Sequence, residues 1–148
     1  MAVPTGSGTE VLKSHSFDDV TAIVPLISGV QHHTYTVLST IAYCVAINAA
    51  ADFGYLQILG NGNFAGGTGH TMIIARWNPV VGDTFVWNDK FSFFGAESAA
   101  YTEPLSTPAE QLGIAAQGQN TPQVYQLGQT HAGDIFDAHV TFLDQDWT

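Results

Sequence analysis

Residues 35–47 read YTVLSTIAYCVAI. Every second position from Tyr35 (Tyr35, Val37, Ser39, Ile41, Tyr43, Val45, Ile47) is mostly large or β-branched, and the interleaved set is mostly small. Successive side chains of a strand point to opposite faces, so this period of two predicts one long strand, Thr34–Asn48, with its large set turned into a core. Such a strand exceeds the usual length of about 5–6 residues and is expected to bend or pass between sheets. The closing segment repeats the pattern. Ile135–Leu143 places Phe136, Ala138, Val140 and Phe142 on one face, and Asp137, His139 and Thr141 on the other.

The remaining chain reads as further short strands separated by turn chemistry. Phe17–Ile27 gives one or two strands, with Pro25 at an edge or a bulge because proline lacks the N–H a ladder needs. Phe53–Leu59 and Thr71–Trp77 flank a glycine-rich stretch, residues 60–69, read as an inter-strand loop. It is not read as a phosphate cradle, since no lysine follows and no helix begins there. Thr84–Trp87 and Lys90–Phe94 are expected to form a hairpin around Asn88-Asp89. Ala96–Tyr101 is the one helical fragment, Gln111–Ala116 and Gln123–Gln126 are short strands, and Gln117–Pro122 is a polar loop. These elements predict an all-β, single-domain β-sandwich, jelly-roll-like, over residues 16–148. A flexible N-terminal arm over residues 1–15 precedes it, because its first nine residues are too rich in Gly, Ser, Thr and Pro to pack alone.

A length of 148 residues suits one core. Only 11% of residues are charged against about 25% in ordinary domains, so much of the surface is hydroxyl, amide or apolar and favours contact with other protein. Lys13, Arg76 and Lys90 stand against thirteen carboxylates, for a formal net charge of −10. Nucleic-acid binding is disfavoured, since neutralising phosphates needs clustered cations. The uncharged run Thr34–Ala51 alternates as a strand and is not read as a membrane span. Residues 1–8 carry neither a basic nor an apolar region and are not read as a secretory signal.

Reactive chemistry is sparse. The six histidines (His15, His32, His33, His70, His131, His139) match no zinc spacing, and no His-x-His followed by Glu marks a metal-binding jelly roll. Cys44, the lone cysteine, lies in the strand pattern and reads as a buried, inert thiol. No Gly-x-Ser-x-Gly elbow supports a serine nucleophile. Asp18-Asp19 and Asp144–Asp146 read as turn formers at strand ends, not as an acid–base pair or a calcium loop. Trp77, Trp87 and Trp147 are candidate sugar-stacking platforms, with burial in the core as the simpler use. No catalytic residue, metal or cofactor is expected.

The order of these features resembles small phage virion proteins of the capsid decoration or cement type. The resemblance rests on an opening strand near Phe17–Ile27 before Ser28-Gly29, the long strand to Asn48, and a second strand with its glycine-rich loop. Asn78-Pro79-Val80-Val81-Gly82 at a later turn and Ala138-His139-Val140-Thr141-Phe142-Leu143-Asp144 at the close complete it. It is one of layout and turn placement, covers the chain from Phe17 onward, and fits least well over residues 96–126. It implies a non-enzymatic structural protein on the outer capsid surface of the virion, made in the host cytoplasm, that assembles as a homotrimer and bridges neighbouring copies of a major capsid protein. Val3, Pro4, Val11 and Leu12 are the apolar anchors expected to contact capsid or a neighbouring subunit. The alternative is a trimeric receptor- or glycan-binding module of a phage fibre or adhesin; a jelly-roll enzyme is a third class.

Overall fold

A computed structural model describes residues 9–30, 33–61, 69–95 and 123–146. Among them are nine strands: β1 (Thr9–Val20), β2 (Val24–Ser28), β3 (His33–Ala46), β4 (Gly54–Asn61), β5 (Gly69–Trp77), β6 (Thr84–Trp87), β7 (Phe91–Phe94), β8 (Val124–Gln129) and β9 (Ile135–Asp146). All pairings are antiparallel. One sheet has the order β1-β9-β3-β6, with β7 also on β3, and the other has the order β2-β8-β4-β5. The two sheets form a single-domain β-sandwich. If β6 and β7 are counted as one edge strand, eight strands divide four to a sheet in the order of a jelly roll.

β6 and β7 do not form the expected hairpin. Each pairs separately with β3, β7 along Thr34–Val37 and β6 along Thr40–Tyr43. The reason lies in β3, whose register against β9 shifts between Val37 and Ser39. An extra residue there kinks the edge that a neighbour must follow, so the neighbour is broken at the same level and Asn88–Lys90 spans the kink.

The same bulge overturns half of the expected core. Tyr35 and Val37 point inward as the alternation predicts, but beyond the bulge the parity reverses. Thr40, Ala42 and Cys44 are buried, whereas Ile41 and Tyr43 are 36% and 42% exposed. Val45 and Ile47 are half-buried, Ile47 against the core. The small residues fit because large ones fill the space around them. Ala42 lies between Ala138 and Phe85, Trp77 stacks on Phe85 at 4.0 Å, and Trp77 meets Phe136 edge-on at 6.0 Å. The Thr40 hydroxyl is 2.8 Å from the hydroxyl of buried Tyr125, which ties the two sheets together through the core. Burial pushes the Tyr125 phenol far above its usual range, and the hydrogen bond to Thr40 only partly offsets this.

Elsewhere the expected pattern holds. Phe136, Ala138, Val140 and Phe142 are all buried. Pro25 lies on edge strand β2, beside a register shift between Pro25 and Ile27. Residues 9–15, assigned to the arm by composition, belong to β1 and pair with β9 from Thr9↔Asp146 onward. Residues 1–8, the proposed helix 96–101, the strand 111–116 and the loop 117–122 lie outside the described residues.

Candidate functional site

The register of the first sheet sorts its residues into rows. On the inner side the rows include Lys13–Phe142–Val37–Phe91 and Phe17–Ala138–Ala42–Phe85. On the outer side they include Leu12–Leu143–Thr36–Ser92, Ser14–Thr141–Ser39 and Ser16–His139–Ile41–Val86. These three outer rows hold hydroxyls, aliphatic side chains and one histidine, with no carboxylate, lysine or arginine. Several of the hydroxyls bind one another across strands: Ser14 Oγ to Thr141 Oγ1 at 3.2 Å, and Thr36 Oγ1 to Ser92 Oγ at 2.9 Å. Ser16 Oγ lies 2.7 Å from His139 Nδ1. Leu12, Ile41, Tyr43, Val86 and Phe94 stand exposed on this face. Cross-strand bonding keeps the hydroxyls aligned, leaving three uncharged rows studded by Leu12, Ile41 and Val86, with Phe94 and Tyr43 in the flanking rows that also hold Glu10 and Asp137.

Two acidic groups lie at opposite ends of β9. Asp144 continues the inward parity of Phe136, Ala138, Val140 and Phe142 and is only 5% exposed. It is not a turn former. Lys13 Nζ donates to its Oδ2 and His33 Nδ1 to its Oδ1, each at 2.6 Å, so the carboxylate joins β1 and β3 to β9. Burial acts against ionisation, but the hydrogen bonds from Lys13 and His33 outweigh it and hold Asp144 below the usual carboxylate range. Sequence reading missed this clamp. The signal was the parity of β9, which runs on to residue 144.

At the other end, Asp18, Asp19 and Asp137 bring carboxylate oxygens within 4.8 Å of one another, the one such group among the described residues. Asp18 and Asp19 are not turn formers either: they lie within β1, at a bulge. Asp19 has a left-handed backbone (φ 51°) where the β1–β9 register shifts, and Asp137 Oδ1 accepts its N–H at 3.0 Å. A side-chain hydrogen bond with Asp137, and then the charge of Asp19, raise the affinity of Asp18 for its proton. Three such oxygens are close enough for a single divalent cation to reach. The loop lacks the alternating ligand pattern of a dedicated calcium site.

The remaining candidates are accounted for individually. Cys44 is fully buried, and burial first, then the charges of Asp134 and Asp83, push its thiol up, which disfavours the nucleophilic thiolate. His15 Nδ1 binds the carbonyl of Leu26 at 3.1 Å, and His131 sits in an exposed turn. Trp77 is committed to its stack on Phe85. Trp87 lines an open cleft of about 580 Å³ between β5 and the β6–β7 edge, with Ile58, Met72 and Phe91. Its indole N–H is buried without a hydrogen-bond partner among the described residues. Of the expected contact residues, Val11 and Leu12 are exposed on edge strand β1, whereas Val3, Pro4 and Trp147 lie outside the described residues. No family model matches the chain, and no curated protein matches it.

Proposed function

We propose that the chain is a structural virion protein that decorates an icosahedral phage capsid and stabilises it by bridging neighbouring copies of the major capsid protein. The supporting observation is the broad outer face of the β1-β9-β3-β6 sheet, three rows deep in hydroxyl and apolar groups without a formal charge. Fold alone does not imply function, and jelly rolls serve capsids, lectins and enzymes alike. An uncharged face suits contact with other protein, here between neighbouring copies, where many weak contacts add, and the exposed β1 edge is left for the capsid. A homotrimer multiplies each contact, so the lattice is bound more tightly than any free subunit. In this reading no catalytic residue or cofactor takes part. In the same reading Val3 and Pro4, with Val11 and Leu12 on the exposed edge strand, contact the capsid.

The test is occupancy of purified heads by full-length protein and by a chain lacking residues 2–8, which leaves β1 intact. The full chain is expected to saturate heads and raise their melting temperature, and the shortened chain to bind more weakly. Failure of the full chain to bind would end the proposal. A second reading, a receptor- or glycan-binding module, draws on the Trp87 cleft. It is favoured if the isolated protein binds cells or glycans and Trp87→Ala abolishes that binding.

A further inference from the structure

We propose that the outer face of the β1-β9-β3-β6 sheet is where one copy of this chain meets another. The inference rests on the self-association within the reading above, not on capsid binding. Charge is the first argument. Each copy carries a formal net charge of −10, so two copies repel over most of their surfaces. None of the three strong cations lies on this face to offset that repulsion: Lys13 is turned to Asp144, Arg76 lies over the Phe53 ring on the second sheet, and Lys90 is in the link between β6 and β7. The middle rows carry no carboxylate either, so acidic copies can approach there without opposing like charges.

Chemistry supplies the second argument. A hydroxyl both donates and accepts, so a patch of serines, threonines and aliphatic studs is complementary to a copy of itself. A one-signed patch is not. A basic partner drawn to the acidic chain would find its ligands elsewhere. Size gives the third. Four strands about 4.8 Å apart and five rows about 6.8 Å apart make a face of about 650 Å², near the roughly 800 Å² per partner of a standard interface. Glu10 and Asp137 lie in its two outermost rows as a polar rim. Leu12, Ile41, Tyr43, Val86 and Phe94 are the exposed anchors on it.

The experiment is light scattering of the intact protein at tens of micromolar, beside Ile41→Asp and Val86→Asp on neighbouring strands of the face and Ile73→Asp on the outer side of the other sheet. Circular dichroism reports folding, and either face variant decides if the other does not fold. The expected result is a mass of two or more chains for wild type and Ile73→Asp, falling to one chain for the folded face variants. A wild type of one chain, folded face variants of unchanged mass, or dissociation by Ile73→Asp alone would each overturn the proposal. Wild type that is multimeric yet binds no heads removes the decoration function and leaves this face standing. A monomer that binds heads does the reverse.

Discussion

The two halves of β3 carry the same alternation of large and small residues and use it in opposite ways. Before the bulge the large set, Tyr35 and Val37, is buried; after it the small set, Thr40, Ala42 and Cys44, is buried and Ile41 and Tyr43 face outward. The difference teaches that size alternation identifies a strand but does not say which face is the core. One inserted residue reverses every side chain beyond it, and the choice is made by what lies opposite. The first half meets Phe93 and Phe142, which leave room for large residues. The second meets Tyr125, Phe85 and Trp77, which do not.

The largest expected effect separates the halves outright. Val37→Asp places an unpaired carboxylate at a fully buried position and is expected to cost more than about 4 kcal/mol, enough to abolish the folded state. Val140→Asp, on β9, is expected to behave alike. Circular dichroism and urea titration check this, and a folded Val37→Asp protein would place the bulge elsewhere. Next comes overpacking. Ala42→Leu forces a larger side chain between Ala138 and Phe85 and should cost about 1–3 kcal/mol, while Tyr43→Leu, one residue on, should change stability by less than about 1 kcal/mol.

Thr40 sharpens the point at a single hydroxyl. Thr40→Val keeps the shape but leaves the Tyr125 hydroxyl buried without its partner, for about 1–2 kcal/mol by urea unfolding. Thr40→Ser restores the hydroxyl and should recover part of the loss. An unchanged midpoint for Thr40→Val would mean that the side chain points outward.

What the sequence made legible follows from this contrast. Period-two patterning together with turn chemistry located β3 to β9, among them β9 with its buried face intact, because no bulge interrupts its alternation from Phe136 to Asp144. It found β6 and β7 as strands but paired them wrongly, since a hairpin and two segments on a shared long neighbour look the same locally. The Asp144 clamp was hidden because Lys13, His33 and Asp144 meet only when β1 and β3 flank β9. The candidate face was less legible still. Its membership depends on the register of the strands, and two of its five apolar studs, Ile41 and Tyr43, come from the large set of β3 that alternation alone assigned to the core.

The Asp144 clamp predicts a smaller effect with a definite sign. Its folded pKa lies below the unfolded value near 3.9, so it contributes stability above that value and loses it as the pH falls through the folded pKa. Lys13 is substantially exposed, so solvent screening limits the loss in Lys13→Met to about 1 kcal/mol at neutral pH. The variant and wild type should converge on acidification below about pH 4. A gap that persists in acid would assign the loss to packing of the lysine stem.

The smallest expected effect is the most decisive for the second half of β3. If alternation ruled throughout, Ile41→Asp would bury a charge and unfold the protein as Val37→Asp does. With Ile41 on the outer face beside His139 and Val86, the carboxylate keeps its water. The cost should be no more than about 0.5 kcal/mol, typical of a surface change. The measurement is a urea midpoint at submicromolar concentration, where any self-association of the face is dissociated in wild type and variant alike. A loss there comparable with that of Val37→Asp would restore the core to the large set and remove the exposed face with it. A small loss at low concentration that grows with protein concentration separates the fold from the assembly, since only a contact between copies makes stability depend on their number.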